Sequence, residues 1–257
     1  MSTPLITFYD PKGGAGCTCI ACAYAYLAAR LGVDRPVLLD LDPQFGDVGL
    51  NFGLTTEVGL GSLIRVLDEI EADQLYSAVS GDASGLSILP APSDPAQAEL
   101  ITPYQVRRLL NVAAQSFGAV IVDLGPGLDE RVLATLESSS WVYMVAEPTP
   151  GSVAAVRRCS QVLDRLGISL AKCSIVVSKY GRSGEVRRQD VARLVSPLPV
   201  LAEIPFAPDA FSMAQSIGRP VTADPKSPLT AFFEPIVKQS LRIDVNPPKR
   251  GLRARIG

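Results

Sequence analysis

The sequence predicts an α/β fold, a doubly wound and mostly parallel sheet with helices on both faces, on three observations. Short apolar runs recur along the chain with helical-looking segments between them, several runs are apolar without alternation, and a glycine-rich turn follows the first run directly. Strands covered on both faces need unbroken apolar runs, and crossovers this long favour parallel pairing. At 257 residues the chain fits one such domain, or at most two small ones.

In order, the predicted strands are LITFY (5–9), PVLLDLD (36–42), LSILPAP (86–92), AVIVDL (119–124), WVYMVAE (141–147), CSIVVSK (173–179) and PVLAEIP (199–205). After the first strand comes DPKGGAGCTC (10–19), and then CIACAYAYLAA (19–29), an apolar stretch expected to pack on the sheet as a helix. A later helix announces its start in TPYQVRRLLNVAAQ: Thr102 can cap, Pro103 suits the first helical position, and Gln105 completes a capping box. No repeat, low-complexity block or linker precedes residue 243, so residues 1–243 are expected to form the globular unit and 244–257 a basic, flexible tail. Pro247-Pro248 stop any helix, and Lys249, Arg250, Arg253 and Arg255 follow with no acid among them. A frayed terminus is the plainer reading, and a short basic anchor for a membrane surface or a partner the sharper one.

The net charge of −2 gives no global drive toward nucleic acid or anionic membrane. No run is long and apolar enough to span a bilayer, and MSTPLITFYDPK lacks the pattern of a secretory signal. Five cysteines, three of them crowded into residues 17–22, do not form a disulfide framework, and a cytoplasmic location is expected. The absence of histidine excludes Ser-His-Asp and Cys-His catalysis and every His-ligated metal site. Cys19 and Cys22, one helical turn apart in an apolar stretch, read as core residues rather than metal ligands. Arg157-Arg158 and Arg182, Arg187, Arg188 and Arg193 read as solvated helix faces or as a surface for a protein partner or DNA, the protein partner being favoured over DNA.

A glycine-rich turn between a buried strand and a helix presents backbone amides and the positive helix end to an anion. Gly13, Gly14 and Gly16 let the main chain approach phosphates, and Thr18 places a hydroxyl for Mg²⁺. Taken alone, the segment also reads as an ordinary glycine turn, because Cys17 stands where a phosphate loop carries lysine. Two further strands favour the nucleotide reading. Asp40 and Asp42 end one and Asp123 ends another, so all three signals meet outside the carboxyl ends of the sheet, where ligands bind in open α/β folds. Aspartates buried there need a cation or donors, which a magnesium nucleotide supplies.

Lys12-Gly13-Gly14-Ala15-Gly16-Cys17-Thr18 resembles the deviant Walker A loop, KGGxGK[ST], of the ParA/MinD superfamily of P-loop NTPases, with DLDPQ similar to its switch I and VIVDLGPGLD to its switch II. LDLDPQFGDVGLNFGL, GLSILPAPSDPAQAELI and IPFAPDAFSMAQSIGRPV resemble the CpaE/TadZ branch, ATPase-like proteins that localise and assemble Tad (type IV-like) pili at the cell pole. The resemblance implies ATP and Mg²⁺ as cofactors and a dimer that forms on ATP binding. Its implied partners are the motor ATPase or platform of a pilus or secretion machine, at the cell pole or the inner face of the membrane. It also implies that Gly13, Gly14, Ala15, Gly16, Cys17, Thr18 and Cys19 line the phosphates, and that Ser178, Pro205 and Phe206 flank the adenine. Lys12 would act in trans across the dimer, Asp42 would orient the attacking water, and Thr18, Asp42 and Asp123 would surround the metal.

Departures from the family pattern temper the activity rather than the fold. Without the loop lysine, nucleotide binding should weaken about 10- to 150-fold, the worth of one charge-assisted contact, unless something compensates. Hydrolysis should suffer more, which leaves a slow, dimer-dependent ATPase or a protein that binds ATP and scarcely turns it over. Ser178 stands where many relatives have asparagine, which bears on base specificity, and a receiver-like domain common in the branch does not precede the first strand. Cys17, at a helix start, reads either as a small residue that fits or as a redox-sensitive thiol of lowered pKa, the first being favoured. A DNA-partitioning ATPase, a nucleotide-independent scaffold and a small-molecule ligase or kinase on the same fold are the competing functions.

Overall fold

The computed structural model describes residues 3–42, 44–54, 58–181 and 186–241. The predicted tail, 244–257, and Arg182 lie outside the described residues.

From the amino terminus, β1 (Leu5–Tyr9) leads through the glycine turn into α1 (Cys17–Arg30), and β2 (Pro36–Leu41) leads into α2 (Val48–Asn51), α3 (Leu60–Leu63) and α4 (Ala72–Ala78). A hairpin of β3 (Ser80–Gly81) and β4 (Ser87–Leu89) precedes α5 (Pro95–Ala98) and α6 (Pro103–Ser116). Strand and helix then alternate through β5 (Ala119–Leu124), α7 (Glu130–Ser138), β6 (Trp141–Ala146), α8 (Pro150–Arg165), β7 (Cys173–Tyr180), α9 (Arg188–Val195) and β8 (Val200–Pro205). Two helices, α10 (Pro208–Ser216) and α11 (Thr230–Leu241), follow.

The strands form one sheet in the order β3-β4-β2-β5-β1-β6-β7-β8, parallel throughout except for β3 against β4. All seven predicted runs are strands. β3, with two residues, is too short to leave an apolar run in the sequence. Strands β2, β4 and β5 lie on one side of β1 and β6, β7 and β8 on the other, so the carboxyl end of β1 sits where the strand order reverses, the place such sheets bind ligands.

The unbroken apolar runs serve two cores, because successive residues of a strand point to opposite faces. Ile6, Phe8, Leu38 and Ile121 pack beneath α1 and α11, whereas Leu5, Tyr9, Val37, Leu39 and Val122 pack beneath α6, α7 and α8. On the first face Phe8, Tyr24 and Tyr143 form a tilted aromatic cluster with ring centroids 5.0 to 6.4 Å apart. Both tyrosine hydroxyls reach α11: Tyr24 shares a hydrogen bond with the Ser240 hydroxyl at 2.6 Å, and Tyr143 donates to the Ile236 carbonyl at 3.2 Å. The start of α6 is the one read from sequence. The Thr102 hydroxyl accepts from the Gln105 amide at 3.2 Å and the Gln105 side chain accepts from the Thr102 amide at 2.9 Å. No helix among the described residues is long and apolar enough to cross a membrane.

Candidate functional site

The loop after β1 is shaped by a buried acid. Asp10 accepts hydrogen bonds from the backbone amides of Lys12 at 3.0 Å and Ala15 at 2.8 Å, which folds the main chain back over its own carboxylate. The turn runs through left-handed backbone at Gly13 and Gly16, with φ of 81° and 80°, a region that disfavours side chains. At Gly13 a Cβ would also come within 3.3 Å of Pro126, so the loop rests directly on the turn after β5. Helix α1 then opens with no side-chain cap and no acid in its first turn, which leaves its amino-terminal amides and positive dipole end available to an anion. Replacing Asp10 with alanine leaves those two loop amides without their acceptor. A loss of about 2–3 kcal/mol is expected, read as a lowered urea midpoint at unchanged slope.

Two carboxylates meet beside this loop. β2 and β5 pair in register with Asp40 opposite Asp123, and both are buried. Asp40 is occupied: it accepts from the amides of Asp42 and Val48, each at 3.1 Å, and so braces the segment after β2. Burial, and then the neighbouring Asp123 charge, hold its carboxyl well above the usual range. Asp123 is different, because neither of its oxygens has a hydrogen-bond partner of good geometry. Burial pushes its carboxyl up to about 7, against the pull of the neighbouring Thr18 hydroxyl and with added repulsion from Asp42. Asp42 itself accepts from the Phe45 amide at 3.3 Å and lies so close to Gly125 that a Cβ there would come within 2.9 Å of its carboxyl carbon. The segments after β2 and β5 are thus pressed together around Asp42.

This arrangement fits a magnesium ion that arrives with a phosphate ligand. An orphaned buried carboxylate beside a threonine hydroxyl is half of a hard-cation site, and Mg²⁺ ordinarily takes its other ligands from water and phosphate oxygens. Among the described residues no group of three or more acids or cysteines could hold a metal unaided. The Cys17 thiol is held well above its ordinary pKa by burial and then by Asp123, so it is not the low-pKa thiol that a helix start can produce. Cys22 is in the core as expected, whereas Cys19 turns toward a cavity.

That cavity, of about 180 Å³, opens beside the loop between α1, the end of β7 and the start of α10. Ala15, Gly16, Cys19, Ser178, Pro205 and Phe206 all line it, so six residues expected from the resemblance to bind one cofactor surround one space. Lys12 stands apart from them. Its side chain is exposed and lies along the start of α8, its ammonium 3.1 Å from where a Cβ on Gly151 would sit. A larger cavity, of about 370 Å³, lies on the far side of Asp42, beneath Phe45, Gly125 and α6.

Three contributors to the site were not singled out from the sequence. Asp10 and the Lys179–Glu147 ion pair act on the loop from its flanks, and Gly125 makes room for Asp42. Asp10 had a legible signal, as an acid at the end of an apolar strand like Asp40 and Asp123. The ion pair had none, since its partners come from different strand ends and meet only through the sheet order.

No protein-family model matches the chain. The fold is that of the ParA/MinD P-loop ATPases. A ParA family ATPase of Chlorobium tepidum superposes with a TM-score of 0.84 at 21% identity, over 94% of this chain and 100% of that one. MinD of Pyrococcus horikoshii, solved with Mg-ADP, superposes with a TM-score of 0.78 at 18% identity, over 92% of this chain and 95% of that one. In sequence, an uncharacterized ATP-binding protein of Methanocaldococcus jannaschii is 22% identical over 252 residues, 88% of this chain and 95% of its own length. The ESX-1 secretion-associated protein EspI of Mycobacterium tuberculosis is 25% identical over 156 residues, which span 60% of this chain but only 23% of EspI.

Proposed function

We propose that the protein binds ATP with Mg²⁺, dimerises on doing so and hydrolyses it slowly. We further propose that this cycle localises or assembles a Tad or type IV-like pilus or secretion machine at the cell pole. The observation that carries the nucleotide half is Asp123, a buried carboxylate whose oxygens have no hydrogen-bond partner of good geometry, set beside a glycine loop whose helix start is uncapped. The MinD structure with Mg-ADP and the archaeal relative named as ATP-binding support the same reading. The machine-assembly half is supported by the QFGDVGL and LPAPSDPA segments and by the secretion-associated relative. Its partner is the motor ATPase or platform protein of that machine. Residues 1–243 are the ATPase unit and 244–257 a basic, flexible tail, with a peripheral contact at the inner face of the membrane as the sharper alternative for it.

In this reading the amides from Gly13 to Cys19 cradle the phosphates and the base occupies the cavity of Ser178, Pro205 and Phe206. Thr18 ligates the metal, and Asp123 and Asp42 hold its water shell. Bound Mg²⁺ supplies charge neutralisation on the phosphates. Asp42 orients the attacking water, and Lys12 reaches the phosphates of the second copy. Light scattering of the full chain without nucleotide, with Mg-ADP and with Mg-ATP tests the switch. The expected result is a dimer with Mg-ATP alone, lost in Lys12→Ala. A mass indifferent to nucleotide would instead fit a scaffold that has kept the fold without the chemistry. The exposed Arg157 and Arg158, side by side on α8, favour a second reading, a partition ATPase on DNA, which ATP-dependent and steeply salt-sensitive binding to random duplex would select.

A further inference from the structure

The loop lacks its own lysine, but an ammonium reaches it from elsewhere. Lys179, near the end of β7, donates from Nζ to the backbone carbonyl of Gly14 at 2.6 Å and pairs with the Glu147 carboxylate just past β6. In the sheet β6 lies between β1 and β7, so the Lys179 side chain crosses one strand end to arrive at the loop.

The backbone is bent to send it there. The register of β7 against β8 shifts between Val177 and Tyr180, and within this irregularity Lys179 takes a φ of 53°. Arg35 is the only other non-glycine residue with positive φ among the described residues. A left-handed conformation is unfavourable for a long side chain, and strand bulges beside functional sites re-aim the residue they carry. An ordinary surface ion pair contributes too little to account for such a bend. Position supplies the reason: Lys179 lines the cavity together with Ser178, and that cavity shares Ala15 and Gly16 with the loop. The other nearby ammonium, Lys12, lies instead along the start of α8.

We propose that Lys179 is the cation this chain supplies to the phosphates of its own nucleotide, in place of the lysine that Cys17 displaces. Glu147 is the counter-ion that holds it while the loop is empty. The inference rests on the nucleotide reading of the loop. Its ligand class is a nucleoside di- or triphosphate, because a molecule with its base in the cavity and its phosphates on the loop amides must pass Lys179. On binding, the ammonium exchanges the Gly14 carbonyl for a phosphate oxygen. Although Lys179 lines the cavity that takes the base, its charge acts on phosphate, so the effect of removing the ammonium should follow the phosphates.

Equilibrium dialysis of the full chain with Mg-ADP and with adenosine separates these possibilities. Lys179→Met should weaken Mg-ADP about 10- to 100-fold and change adenosine by no more than about twofold, as the loss of a charge-assisted phosphate contact predicts. Adding Cys17→Lys to that variant should restore most of the lost affinity. Glu147→Gln, which leaves Lys179 in place and removes its competitor, should tighten Mg-ADP by about threefold or more, and it carries the test if Lys179→Met fails to fold. Unchanged Mg-ADP affinity in either single variant would overturn the proposal. So would equal losses for Mg-ADP and adenosine in Lys179→Met, which would make Lys179 a support of the cavity. If the wild type binds neither ligand, the nucleotide reading fails first and the role of Lys179 with it.

Discussion

Lys12→Ala is expected to lower ATP turnover by about 10³- to 10⁵-fold, the range in which a cation supplied in trans accelerates phosphoryl transfer. The size follows from where Lys12 is. Its amide is committed to Asp10, but its ammonium is exposed and has no hydrogen-bond or ion-pair partner among the described residues. Removing it therefore costs the folded monomer little, and a thermal melt of Lys12→Ala should match that of the wild type within about 0.5 kcal/mol. The loss should fall on turnover and on assembly. Measured against protein concentration, wild-type turnover should rise faster than linearly, as a dimer-dependent rate must, whereas the residual rate of Lys12→Ala should be linear. Brisk turnover by a strict monomer would remove the role given to Lys12.

Asp123→Asn should separate stability from function in opposite directions. In the folded chain Asp123 is raised to about 7 from an ordinary 3.8, so between those values the native state holds a proton that the unfolded chain has released. Stability therefore falls as pH rises from about 4 to 7, and beyond that the fold carries a buried, unpaired negative charge. At about 1.4 kcal/mol per pH unit, moderated by sharing of charge with Asp40, the penalty at pH 8 comes to about 2–4 kcal/mol. Asp123→Asn removes the charge at nearly constant volume, and the amide it introduces can donate to the neighbouring Asp40. At pH 8 and without nucleotide this variant should melt several degrees above the wild type, while at pH 5 the gap should shrink by about half or more. With Mg-ATP the order should reverse, because the variant leaves the metal shell with the Asp42 carboxylate alone, whereas the wild type adds that of Asp123. Paired thermal melts at pH 5 and 8, with and without Mg-ATP, check both halves. Equal melting temperatures at pH 8 would mean that Asp123 finds a partner the fold does not show.

The sheet was legible because both of its faces are covered. Runs such as AVIVDL have no alternative to a buried strand, and each of the seven became one. The start of α6 was legible because a capping box is a local device, written within four residues. The short helices α2 to α5 were not, since they are too short to show a periodicity, and α2 and α4 are held by other helices, α2 by α1 and α10 and α4 by α3 and α6. In the site, the glycine turn and the strand-end aspartates were visible because backbone geometry and burial both leave marks in the sequence. Asp40 and Asp123 could be placed near one another by strand-end logic, but not given different states. That Asp40 is satisfied by the Asp42 and Val48 amides while Asp123 is left bare depends on how the loop after β2 folds. Lys179 was hidden for a related reason. Its neighbour Ser178 was marked by the family pattern, whereas its own role depends on a bulge and on a carboxylate from another strand.

The measurement that reaches the central claim most directly is calorimetric titration of the full-length wild type with Mg-ATP near pH 7.5, repeated without magnesium. Binding of one nucleotide per chain is expected, with affinity falling about tenfold or more when magnesium is withheld, as Asp123 then faces the phosphates with no cation between them. Absence of binding at millimolar Mg-ATP, or binding indifferent to magnesium, would contradict the account and leave DPKGGAGCTC as a glycine turn that shapes the fold without holding a nucleotide.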